Sequence, residues 1–300
     1  MKILIPVDGS AHGAAAVAFV ASRGTLIGAQ PEVELLNVQW PIPPRAARAA
    51  GREVVAAFIE AEATAVLRPA LAQLKKAGLQ ARARHLVGSP GATVAAAAAG
   101  GGADLVVMGS QGHSAFKGLL FGSVTNAVLA GSTTPLLVVR GARAPVRDSL
   151  AVGIALDGSA YGLAAIRHVL KHPHLLGAQP VLHLIHVVPD FSAAAIAGLG
   201  DAAAPLPSPQ KVRAAQSAAF DRTLAPARRL LAKAGLAGLE ICLVGNNAGD
   251  EIAVYARKKR LDLLVMGSRG RGLLKSVVMG SVATRVAASC TTPLLLIRRP

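Results

Sequence analysis

The chain has 300 residues, of which 52% are hydrophobic but only 3% aromatic, and a formal net charge of +16. That length suits two domains of ordinary size, each able to bury a core of its own, here built from Ala, Val, Leu and Ile. The basic residues are scattered and not interleaved with aromatics, which argues against specific nucleic-acid binding; no apolar run is long enough to span a membrane, and no signal-peptide pattern precedes the opening Lys2-Ile3-Leu4-Ile5-Pro6.

In chain order, the pattern predicts a strand over 2–7, a helix over 11–28 and a strand over 32–38. A long helix over 51–77 follows, with Val55, Ile59, Val66, Leu67, Leu71 and Leu74 recurring near helical spacing before Gly78 ends it. A strand over 80–87, a helix over 91–99, a strand over 104–108, a glycine loop, a helix over 122–130 and a strand over 135–140 complete the first half. The second half reads as strand 150–156, helix 160–171, strand 179–187, helix 209–234, strand 238–244, helix 249–259, strand 262–266, helix 280–289 and strand 293–298. Strands that alternate with helices and lack period-two alternation indicate a parallel sheet covered on both faces. The expected fold is α/β, with two tandem doubly wound, Rossmann-like domains of about five strands at 1–141 and 149–300, joined by the short polar stretch Gly141 to Ser149.

The halves match along their length. Ile5-Pro6-Val7-Asp8-Gly9-Ser10 corresponds to Ala155-Leu156-Asp157-Gly158-Ser159, and Leu35-Leu36-Asn37-Val38 to Leu184-Ile185-His186-Val187. Later, Thr133-Thr134-Pro135-Leu136-Leu137 corresponds to Thr291-Thr292-Pro293-Leu294-Leu295. The extra residues of the second half, around Pro189 to Pro209, read as a loop or as a lid over a site.

One glycine pattern occurs twice: Gly109, Gly112 and Gly122-Ser123, then Gly267, Gly270 and Gly280-Ser281, each copy after an apolar strand and before a helix. Such glycines let the backbone turn tightly and approach a phosphate, which the unpaired amides of the helix N-terminus attract. The serine hydroxyl would donate as well, or cap the helix. If the first and fourth strands of each half are neighbours, Asp8 shares a crevice with the first loop and Asp157 with the second. A carboxylate there accepts from a ribose hydroxyl or an exocyclic amine, or caps the next helix, a task open also to Ser10 and Ser159.

This constellation resembles the universal stress protein family, in its ATP-binding branch, over nearly the whole chain, and implies a fold akin to the nucleotide-binding α-hydrolases. The resemblance implies that Gly109, Gly112, Gly122 and Ser123, and equally Gly267, Gly270, Gly280 and Ser281, bind phosphates and ribose. It implies that Asp8 and Asp157 contact the nucleoside and that the backbone at Val38 and Val187 meets the adenine ring. It also implies that the final strands, Leu136 to Arg140 and Leu294 to Arg298, pair across the duplication as an internal pseudo-dimer; exposed sheet edges would support a further homodimer.

The copies differ. Pro6, part of the first crevice, is replaced by Ala155, and the Gly88-Ser89-Pro90 turn by the longer Gly245-Asn246-Asn247-Ala248-Gly249. Arg269, Arg271 and Lys275 stand where the first loop has Gln111, His113 and Lys117, as solvated charges or as charge-assisted phosphate contacts. The expected ligand is an adenine nucleotide, ATP, with magnesium held mainly through its phosphates. Catalysis has little support, since there is no Walker lysine-serine pair, and the function expected is nucleotide-responsive regulation, with slow ATP hydrolysis as the alternative. His168, His172 and His174 come closest to a metal-ligand spacing but fit packing as well. Cys242 and Cys290 read as ordinary thiols of a reducing cytoplasm.

Overall fold

Residues 1–110, 120–141, 144–190, 208–270 and 279–299 are described by the computed structural model. Their strands are β1 (Lys2–Pro6), β2 (Glu32–Gln39), β3 (Ala81–Val87), β4 (Leu105–Gly109), β5 (Leu136–Val139), β6 (Ala151–Ala155), β7 (Val181–Val188), β8 (Leu239–Val244), β9 (Leu263–Gly267) and β10 (Leu294–Ile297). The unbroken apolar runs make the middle of the sheet: every residue of β5 and β10 is buried, whereas the outermost strands β3 and β8 are half exposed. Among the described residues the strands form one sheet in the order β3-β2-β1-β4-β5-β10-β9-β6-β7-β8. Pairing is parallel within each half. Across the duplication it is antiparallel, with Leu295 of β10 opposite Leu137 of β5. The final strands thus join the halves as the resemblance implied.

Successive side chains of a strand point to opposite faces, and each face carries its own helices. On one face Ile3, Ile5 and Val107 of the first half lie with α1 (Ala11–Ala21) and α4 (Arg52–Lys76), and Val152, Ile154 and Val265 of the second with α7 (Ala160–Lys171) and α8 (Pro209–Lys233). On the other, Leu4, Leu36 and Val106 lie with α5 (Pro90–Gly100) and α6 (Ser123–Gly131), and Ile185, Leu264 and Met266 with α9 (Ala248–Lys258) and α10 (Ser281–Ser289). None of the described helices is long and apolar enough to cross a membrane.

Two helical features depart from the sequence reading. The helix expected over 11–28 stops at Ala21 and resumes as α2 (Gly24–Ala29). Between them Arg23 turns into the protein and is almost wholly buried, its Nη2 donating to the carbonyls of Pro145 (3.1 Å) and Arg147 (2.9 Å). A cation that holds the connecting segment by its main chain has no counterpart in hydrophobic periodicity. A short α3 (Pro44–Ala50) also precedes α4, opened by Pro44 at its first turn.

The halves repeat one contact at the bottom of the sheet. Asp104 accepts from the amide of Lys2 (2.9 Å), and Asp262 from that of Ala151 (2.8 Å). Across the junction, Lys171 Nζ lies 3.2 Å from Asp104. Arg298 Nε donates to the carbonyl of Ser132 (3.3 Å) and its Nη2 to that of Leu129, so a cation of the second half closes the C-terminus of α6 in the first.

Candidate functional site

β1 pairs with β4 and β6 with β9, so each half has one crevice at the point where strand order reverses. After β1 the chain turns through Gly9, whose φ of 82° places it in the left-handed region; Gly158, at 78°, does the same after β6. In the turn, Asp8 Oδ1 accepts from the Ser10 amide (3.0 Å) and the Ser10 hydroxyl (2.6 Å). Ser10 Oγ accepts in turn from the Gly13 amide (3.1 Å) and caps α1. The second half repeats this: Asp157 Oδ1 accepts from the Ser159 amide (2.9 Å), and Ser159 Oγ from that of Gly162 (3.2 Å). The serines cap the helices, and each aspartate is braced beside the crevice.

Asn37 and His186 brace the same turn from the neighbouring strand. Asn37 Nδ2 donates to the Val7 carbonyl (2.9 Å), and His186 Nδ1 donates to that of Leu156 (2.7 Å), which fixes a proton on that ring nitrogen. Neither role follows from the sequence pattern, although Asn37 and His186 immediately precede Val38 and Val187; their unlike chemistry conceals a shared task.

The glycine loops need two corrections. Gly109 and Gly267 are the last residues of β4 and β9, and neither has a positive φ. They are glycines because the first turn of the facing helix lies against them: a Cβ would come within 2.5 Å of the His12 carbonyl oxygen in one case and of Tyr161 Cβ in the other. A Cβ at Gly270 would sit 2.7 Å from Asp157 Oδ2, so this glycine lets the loop lie beside the aspartate. The amides of Gly122 and Gly280, expected to be unpaired, donate to the carbonyls of Ser110 (2.8 Å) and Ser268 (2.7 Å) and tie the loop shut. Both glycines are N-caps, so Ser123 and Ser281 are first helical residues and do not cap. The amides of Ser123, Val124 and Thr125, and their equivalents in α10, are those that a helix N-terminus leaves without intrahelical partners. Gly112 lies outside the described residues, as do Gln111, His113, Lys117, Arg271 and Lys275.

A cavity fills each crevice. The first, of about 330 Å³, is lined by Pro6, Asp8, Val38, Gly109, Gly122 and Ser123 over a floor of Leu36, Met108 and Val94. The second, of about 630 Å³, is lined by Asp157, Val187, Gly267, Gly270, Gly280 and Ser281 over Ile185, Met266 and Ile252. Of the residues that the resemblance assigns to the ligand, all but Gly112 thus converge on two equivalent cavities. The rims differ: Trp40, Pro90 and Thr125 crowd the first, while Ala248, Ala283 and Arg269 stand around the second. Fully buried Ser268, on the second wall, has a hydroxyl without a hydrogen-bond partner among the described residues. Electrostatically the second rim is the more basic; burial first, and Arg269 next, push the nearby Arg298 guanidinium below its ordinary pKa. Among the described residues no group of three or more His, Cys, Asp or Glu could hold a metal ion. In the histidine cluster the rings of His168 and His172 lie 4.8 Å apart, tilted by 55°.

Comparison with known proteins gives one answer along the chain. The sequence model of the universal stress protein family matches residues 1–140 and again 151–298. A universal stress protein of Mycolicibacterium smegmatis is 28% identical over 309 residues, covering 99% of this chain and 96% of its own. The crystal structure of a universal stress protein from Archaeoglobus fulgidus superimposes with a TM-score of 0.70 at 21% identity, covering 100% of this chain and 98% of its own. A putative universal stress protein from Pseudomonas aeruginosa gives 0.63 at 16% identity, covering 99% and 92%.

Proposed function

We propose, for a chain that belongs to the universal stress protein family in both of its halves, that each crevice binds an adenine nucleotide, with ATP as the physiological ligand. The observation that carries this reading is the recurrence, at equivalent places, of a braced aspartate, a valine-edged apolar floor and a helix N-terminus with no side-chain cap. The adenine ring lies against Val38 or Val187, and the ribose reaches Asp8 or Asp157. The phosphates meet the first amides of α6 or α10, where the helix dipole favours negative charge. Pro6 adds rigid apolar surface in the first crevice only.

The chemistry of the rim favours binding over turnover. Among the described residues, Asp8 and Asp157 are the carboxylates lining the cavities, and each already accepts a hydrogen bond from its turn. One such carboxylate per crevice is too few for a protein-made magnesium site, so the ion would be held mainly by the phosphates of the nucleotide. The protein then acts as a nucleotide-responsive regulator, changing shape or partner affinity with occupancy.

Denaturing the purified protein and identifying released nucleotide by mass spectrometry tests the reading. ATP or its diphosphate, at up to two per chain, is expected. No released nucleotide, together with no calorimetric affinity for added ATP, would overturn it. Phosphate release at ordinary enzyme rates, abolished by Asp8→Ala with Asp157→Ala, would instead favour a hydrolase.

A further inference from the structure

Trp40 directly follows β2 and lines the first cavity with Val38 and Pro90, above the buried Val94 of its floor. It is the single tryptophan of the chain. Its side chain is left in solvent, at 66% exposure, although Phe19, Phe121 and Tyr255 are all buried. The backbone that carries it is fixed, because the Gly88 amide donates to the Gln39 carbonyl (2.9 Å) and ties the end of β2 to the turn before α5. A large, anchored aromatic surface at the rim of an apolar hollow leaves area for a flat ring to cover. In the second half Pro189 holds the matching register, two residues after Val187 as Trp40 is two after Val38, and it is not among the described residues lining the larger cavity.

We infer that Trp40 is a ligand-contacting residue of the first site: it stacks on the base of the bound nucleotide and makes this site, unlike the second, select for ligands that carry an aromatic ring over phosphate chains alone. The inference rests on the nucleotide reading of the crevice and adds to it a specificity determinant for one of the two sites. Base–aromatic stacking tolerates any base, so the selection is for a nucleobase and not for adenine in particular.

Because no other tryptophan is present, indole emission reports this one site. The full-length protein, freed of nucleotide, is titrated with ATP, adenosine and tripolyphosphate while emission and heat are recorded. ATP and adenosine should change the emission to saturation, and tripolyphosphate should not. Trp40→Ala should weaken one calorimetric phase by between about 5-fold and about 150-fold, the range of a single stacked base. Trp40→Phe should recover most of that loss, and the other phase should be unmoved. The side chain is exposed, so both variants should keep the parent unfolding midpoint. Binding of ATP with unchanged emission and unchanged affinities in Trp40→Ala overturns the stacking role but leaves the nucleotide reading standing. An equal response to tripolyphosphate overturns it as well. No heat with ATP at all removes the nucleotide reading, and the role of Trp40 with it.

Discussion

In the first crevice, Thr125 Oγ1 donates to the carbonyl of Gly109 (3.1 Å), so the helix that would face a phosphate is tied to the strand beneath it. In the second, Ala283 holds that register and the tie is missing. The turn before α5 has Ser89 without a side-chain cap bond, whereas Asn247 caps α9 by accepting from Asp250, with Asp250 and Glu251 in the first turn. The floors are alike and the rims are not, and the cavities measure about 330 and 630 Å³. The two copies share the Asp-Gly-Ser turn (Asp8 to Ser10, Asp157 to Ser159) and differ in the residues around it. A second contrast lies away from the crevices. Phe19 and Arg23, with the guanidinium carbon 5.8 Å from the ring centre, have as their counterparts His168 and His172, so a permanent cation in one half corresponds to a titratable one in the other.

The largest expected effect tests whether the halves are separable. Leu295 and Leu137 face each other at the antiparallel seam and are both buried. Leu295→Ala should cost about 2–5 kcal/mol, as deletions of buried leucine do, and should lower a single urea transition seen by every probe. Two transitions, with the first half unaffected, would show that the seam does not couple them.

The next effect depends on pH and belongs to the second half. Burial, and then the neighbouring His172, lower the His168 pKa from 6.5 to about 4, with Asp104 opposing and Lys171 adding to the shift. Below pH 6.5 the unfolded chain takes up this proton and the folded one does not, so stability falls as the pH drops from 6.5 toward 4. That gap corresponds to about 3 kcal/mol. Chemical unfolding across this window should show the loss, and His168→Phe, which copies Phe19, should remove most of it. An unchanged slope in the variant would assign the acid sensitivity elsewhere.

The smallest effect sharpens the contrast between rims. Thr125→Ala removes one buried hydrogen bond and should cost about 1 kcal/mol. It should also shift the first-site affinity toward that of the second, read as two calorimetric phases drawing together.

Most of the architecture was legible in the sequence because apolar runs of strand length alternate with helical periodicity, and because the duplication states each element twice. The strand and helix ends fall within a residue or two of expectation except where a polar group acts at long range. Arg23 breaks a helix to reach the main chain near Pro145, and no local pattern announces that. The candidate site was legible as a set of residues but not as a set of roles. Gly109 and Gly267 serve the approach of a helix, the amides of Gly122 and Gly280 are spent within the loop, and the bracing side chains Asn37 and His186 went unnoticed. A pattern of glycines reports where backbone comes close; what it comes close to is decided by packing.

The antiparallel seam has a consequence for synthesis on the ribosome. β5 lies in the middle of the finished sheet, yet its partner β10 is translated only after the whole second half. A nascent first half therefore waits with a bare, fully apolar strand whose amides and carbonyls are open on one side. The most available mate for such an edge is the same strand on another nascent chain, so polysome crowding sets a hazard that the order of the strands builds in. Chaperone shielding of residues 136–139 during translation would meet it, and chains cut short before β10 would be the ones to aggregate.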